Sequence, residues 1–203
     1  MKLNLPNKLT VLRMLSVPVF VIVMMISEAL WAQIAGLVLF LGASLTDMLD
    51  GKIARKYNLI TDFGKFLDPL ADKFMVIGAL LVILYRSLIA QPVARVFTAV
   101  FFWAVLIVIF RELAVTSMRL VVSKSSGIVI PANLLGKIKT CTQIACVIVC
   151  LLEPMLCRNI PALNGISEIL PLSIVTSGLM LIFTLWSGIH YLSSYWKYLD
   201  PQK

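Results

Sequence analysis

Six stretches of the chain are apolar for long enough to cross about 30 Å of hydrocarbon, at roughly residues 9–26, 30–49, 67–85, 97–122, 132–152 and 169–193. Polar residues gather between them, so the pattern predicts six transmembrane helices and an all-α membrane bundle. Pro6, Asn7 and Thr10 offer helix-start signals ahead of Val11 and Leu12, and the N-terminal segment is expected to begin at the membrane interface. No small-residue cleavage site follows the first apolar run, which is therefore read as a retained helix. No soluble domain, repeat or low-complexity tract interrupts the pattern, so residues 1–203 are expected to form a single membrane domain.

Composition agrees with the pattern: 60% of residues are hydrophobic and 14% charged, against about 25% charged in soluble proteins. Basic residues are unevenly placed. Lys2, Lys8 and Arg13 open the first run, Lys52, Arg55, Lys56, Lys65 and Lys73 surround the connection between the second and third, and Lys124, Lys137 and Lys139 lie between the fourth and fifth. The opposite side carries Arg86, Arg95 and Arg158. The positive-inside rule then puts both termini and the second connection in the cytoplasm. The formal net charge of +8 brings no nucleic-acid module with it, and anionic lipid or phosphate is the partner this charge implies. Cys141, Cys146, Cys150 and Cys157 lack the paired spacing of a zinc or redox motif and read as packing residues. The single histidine, His190, has no sequence partner for catalysis and reads as structural.

Between the second and third runs the chain reads Asp47-x2-Asp50-Gly51-x2-Ala54-Arg55-x8-Gly64-x3-Asp68-x3-Asp72. Helical spacing sets Asp47 and Asp50 on one face near the end of the second helix, and Asp68 and Asp72 on one face near the start of the third. Leu49, Phe66, Leu67, Pro69, Leu70 and Ala71 interleave with the acids, so these carboxylates enter the membrane edge, where an acidic residue is costly and marks function. Four carboxylates repel one another, and a pair of divalent cations, which take hard oxygen ligands, neutralises them. Gly51, Ala54 and Gly64 would let a ligand approach the backbone closely, and the Arg55 fork matches phosphate oxygens.

A second constellation lies further along. Arg111 and Glu112 sit deep in the fourth run and Arg119 near its end, with Glu112 and Arg119 on nearly the same side, while Lys137 and Lys139 open the fifth. Facing the acids, these cations would make a pocket for an anionic group, with Glu112 orienting one of them. The bland alternative is snorkelling to the headgroups, open for Arg119 and Lys139. Phe101, Phe102 and Trp103 read as lipid-facing.

The template over residues 47–72 resembles the signature of the CDP-alcohol phosphatidyltransferase family at every defining position. The resemblance implies a six-helix membrane enzyme, usually a homodimer, that transfers a phosphatidyl group from a CDP-linked lipid to an alcohol and releases CMP. It implies two divalent ions, Mg2+ or Mn2+, on Asp47, Asp50, Asp68 and Asp72, with Asp72 also matching the proposed general base. Three further stretches are similar to a bacterial branch of the family whose acceptor is glycerol 3-phosphate. They are Asn4-Leu5-Pro6-Asn7-Lys8-Leu9-Thr10 with Arg13, Arg111-Glu112-Leu113-Ala114-Val115-Thr116 with Arg119, and Gly136-Lys137-Ile138-Lys139-Thr140 with Gln143; Thr184-Leu185-Trp186-Ser187 and Tyr191 also fit. On that reading CDP-diacylglycerol lies against Gly51, Ala54, Arg55 and Gly64, and Arg111, Arg119 and Lys137 hold the acceptor phosphate. Asn7 and Thr10 either line the nucleotide site or start the first helix, and Lys139 reaches either the phosphate or the lipid surface. Two rivals stay open: another acceptor, such as phosphatidylglycerol, and a divalent-cation path through the membrane.

Overall fold

In a computed structural model of the chain, residues 4–57, 61–90, 94–126 and 134–196 are described. They form six α-helices and one short 3-10 turn: α1 (Leu5–Ile26), α2 (Leu30–Lys56), α3 (Asp62–Ile89), α4 (Arg95–Ser126), α5 (Leu134–Asn159), the turn (Pro161–Ile166) and α6 (Pro171–Trp196). The fold is an all-α membrane bundle. Five helices are long and apolar enough to span a bilayer; α3, equally long, carries Asp68, Asp72, Lys73 and Arg86 along its length.

The helices outrun their apolar cores because their polar ends are capped. The Asn4 side chain accepts from the Asn7 amide, and Pro6 stands in the first turn of α1, where its missing N–H costs nothing. Thr61 accepts from the Gly64 amide at 3.1 Å and starts α3 at Asp62, several residues before its apolar run. The cap of α6 comes from another helix: Glu153 of α5 accepts from the Leu172 and Ser173 amides at 2.9 and 2.6 Å, just beyond Leu170, whose φ is 50°.

α1 packs on α2 and α3, and α6 packs on α4 and α5. The two triplets meet where α3 touches α4 and α5, and α2 touches α5. Phe20, Phe40, Leu80, Phe101, Val105, Val147 and Met180 form one continuous core across this seam. Phe101, expected in lipid, is fully buried and stacks on Phe97, while its neighbours Phe102 and Trp103 face outward. Adjacent helical residues point about 100° apart, so one position of an aromatic run enters the core as the others leave it. Leu12, Leu15, Val19 and Ile22 on α1 and Ile182, Leu185, Trp186 and Ile189 on α6 are exposed, which in a bilayer is the lipid-facing surface. Cys146, Cys150 and Cys157 are buried as packing residues and Cys141 is exposed.

Candidate functional site

All four signature aspartates stand on helix, Asp47 and Asp50 in the last turns of α2 and Asp68 and Asp72 in the first turns of α3. The connection between them is residues 57–61, shorter than the apolar runs alone would leave. The buried face of α1 braces this corner. Asn7, Thr10 and Arg13 continue the stripe that Val17, Phe20 and Met24 carry into the core, at intervals of three and four. Asn7 Nδ2 donates to Thr61 Oγ1 at 2.9 Å, and the Thr10 hydroxyl donates to Asp68 Oδ1 at 2.8 Å. Arg13 is 2% exposed and its guanidinium pairs with the Asp47 carboxylate. Asn7 and Thr10 therefore start α1 and also reach the signature.

Gly64 has a local reason to be glycine. A Cβ there would lie 2.9 Å from Asn7 Oδ1 and 3.3 Å from Thr61 Oγ1, so any larger residue would displace the side chains that join α1 to the start of α3. A close approach at this position is thus already made within the protein, between α1 and α3. Gly51 lies on α2; the side chains of Asp50, Ala54 and Arg55 lie outside the described residues.

On the other side of the seam, Glu112 gathers two of the expected cations. Arg111 Nη1 lies 3.2 Å from Glu112 Oε1, and the Lys139 ammonium pairs with the same oxygen. Glu112 and Lys139 are 8% and 6% exposed, so Lys139 turns inward and does not snorkel to the lipid surface. A buried charge stays ionised only when partnered, and here the acid satisfies the base. Arg111 is anchored again by Ser187, whose Oγ accepts from Nη2 at 2.6 Å, and its stem lies over Gly188, where a Cβ would come within 3.1 Å of Arg111 Cγ. The guanidinium carbons of Arg111 and Arg119 lie 5.6 and 5.9 Å from the centre of the same Tyr191 ring. Arg119 and Lys137 stay exposed at the rim.

The two sides face each other. Asp72 is within electrostatic reach of Asp47, Arg13, Glu112 and Lys139, and the next residue, Lys73, bonds through its ammonium to the Thr116 hydroxyl of α4. Acids from α2 and α3 and cations from α4 and α5 thus border one polar region. Among the described residues no three carboxylate, histidine or cysteine side chains are close enough to enclose an ion, Asp50 being outside that description. The donor set nonetheless suits Mg2+ or Mn2+: hard carboxylate oxygens, with Asp47 and Asp68 still partly open to solvent.

Four contributors carried no assigned role in the sequence reading: Arg13, Thr61, Lys73 and Ser187. For Arg13 a signal existed, since Asn7, Thr10 and Arg13 repeat at the spacing of the buried apolar residues that follow. Lys73 and Ser187 become visible only through contacts 43 and 76 residues distant.

Comparison with known proteins bears on the family. Residues 3–187 match the family model described as CDP-alcohol phosphatidyltransferase, and the chain belongs to that family. It is 40% identical to the Bacillus subtilis CDP-diacylglycerol–glycerol-3-phosphate 3-phosphatidyltransferase over 97% of both chains. A Rickettsia bellii protein of the same name is 39% identical over 69% of this chain and 70% of its own. A rice cardiolipin synthase (CMP-forming) is 34% identical over 97% of this chain and 59% of its own.

Proposed function

We propose that this protein transfers the phosphatidyl group of CDP-diacylglycerol to glycerol 3-phosphate, forming phosphatidylglycerophosphate and CMP in phospholipid biosynthesis. The observation that carries the acceptor is the Arg111, Glu112 and Lys139 network across the seam from Asp72, with Arg119 and Lys137 at its rim. A cationic site of this kind suits a phosphorylated alcohol. The likeness to relatives named for glycerol 3-phosphate, over nearly the whole chain, supports the same acceptor.

Asp47, Asp50, Asp68 and Asp72 would hold two divalent ions, which when bound neutralise a pyrophosphate and stabilise its attacking and leaving oxygens. The chain's own residues do the rest. Asp72, on the side of the acids nearest the cations, takes the proton of the acceptor hydroxyl as it attacks the β-phosphorus of the donor. Arg111 and Lys139, held by Glu112, bind the acceptor phosphate at a fixed distance from that hydroxyl. The donor would lie against Gly51, Ala54, Arg55 and Gly64, and Thr10 keeps the Asp68 carboxylate oriented. The reaction takes place at the cytoplasmic face of a bacterial cell membrane, with both termini on that side, and the enzyme works as a homodimer.

The test is purified protein supplied with labelled CDP-diacylglycerol and a panel of alcohols, with and without chelator. The expected outcome is product and CMP with glycerol 3-phosphate, lost on chelation and restored by Mg2+ or Mn2+. Product with phosphatidylglycerol alone would move the assignment to cardiolipin synthesis, the activity in the rice relative's name.

A further inference from the structure

At the end of the bundle away from the aspartates, the seam opens into a cavity of about 290 Å³ lined by all five helices from α1 to α5 and by the loop before α6. This is the lower bound of the ~300–1,000 Å³ typical of small-molecule sites. Its inner wall is apolar, with Ile83, Phe97, Cys150 and Leu151; its mouth carries Glu28, Arg86 and Arg158. Arg158 Nη1 pairs with Glu28 Oε2 at 2.9 Å. Arg86, on the last turn of α3, has no such partner: among the described residues its guanidinium meets the Met24 sulfur, Nη1 to Sδ 3.6 Å. A thioether is a weak acceptor, and a guanidinium has five N–H groups to satisfy. Glu28 and Arg158 are both within electrostatic reach of Arg86, so two cations share one carboxylate and the mouth keeps a net positive charge.

We propose that this cavity binds the phosphate group of an anionic amphiphile, seated between Arg86 and Arg158, with an acyl chain against the apolar wall. A phosphate supplies the oxygen acceptors that Met24 lacks and matches the planar guanidinium fork. The apolar wall behind it favours a lipid over free phosphate. Occupancy would bear on the catalytic end, because the cavity wedges between the two helix triplets whose contact also brings Asp72 toward Glu112 and Lys139.

The test uses the full-length protein in neutral detergent, titrated with phosphatidylglycerol and with phosphatidylcholine of the same acyl chains and read by native mass spectrometry. Wild type is expected to retain a phosphatidylglycerol that Arg86→Gln binds about tenfold more weakly, with Arg86→Lys between them and phosphatidylcholine indifferent to all three. The thermal unfolding midpoint of Arg86→Gln in the same detergent reports whether that variant is folded. If it is not, Arg158→Gln, at a half-exposed position, replaces it and must show the same loss. Displacement of the lipid by millimolar inorganic phosphate would support the phosphate site and identify free phosphate as a second source of the same group. Equal retention of the two lipids, or retention unchanged in a folded arginine variant, overturns the proposal.

Discussion

Asp72 and Asp68 have the same chemistry and differ in what surrounds them. Asp68 is exposed and receives the Thr10 hydroxyl, whereas Asp72 faces Asp47, Glu112, Lys139 and Arg13. Asp72→Asn is therefore expected to lower turnover by about a hundredfold or more, the scale of general base catalysis, while the protein stays folded and still binds CDP. Turnover assays beside calorimetric CDP titration check this, and a fully active variant removes Asp72 as the base. Arg111 acts on the other substrate. Arg111→Ala is expected to raise KM for glycerol 3-phosphate by roughly thirtyfold, equivalent to about 2 kcal/mol of charged hydrogen bonding, and to leave KM for the donor near wild type. Ser187→Ala, which removes only the anchor at Nη2, is expected to shift the same constant in the same direction by less. Both arginine and aspartate stood out in the sequence as charges inside apolar runs; Ser187 stood out only as part of the stretch Thr184-Leu185-Trp186-Ser187, with no contact implied, because a serine in a membrane helix commonly satisfies itself on its own backbone.

Each helix of the site presents its chemistry from one end, and its packing fixes which side chain meets which. α4 and α5 are joined through Glu112, which is buried with Lys139 and Arg111 around it. Removing the acid would leave two largely buried cations without their carboxylate. Glu112→Ala is expected to destabilise the protein by about 3–5 kcal/mol, whereas Lys137→Ala, exposed on the same helix as Lys139, is expected to be near neutral in stability. Thermal unfolding in detergent distinguishes the two, and equal midpoints would refute the buried network. Helix existence was legible from apolar length alone, but helix ends were not. The starts of α3 and α6 depend on the Thr61 and Glu153 side chains, and Glu153 caps a helix 19 and 20 residues further on. Apolar length was also blind to the direction of Phe101, which only the approach of neighbouring helices decides.

At the scale of the whole molecule, the two helix triplets place a polar region at one end of their seam and an amphipathic cavity at the other. The excess of lysine and arginine at the aspartate end predicts which end faces the cytoplasm. A cysteine introduced at exposed Tyr57 is expected to react with a membrane-impermeant thiol reagent in inside-out vesicles and to be protected in right-side-out ones, in a background lacking the four native cysteines; the reverse labelling would invert the topology. The sequence by itself determined the membrane class, the number of helices, the aspartate template and the family, because each rests on local composition or on short fixed spacing. Tertiary structure alone decided that Arg13 meets Asp47, that Lys139 turns inward to Glu112, and that Gly64 serves contact between α1 and α3. These are pairings between residues far apart in the chain. No local pattern encodes them, since the burial that makes a charge seek its partner exists only once the helices have packed.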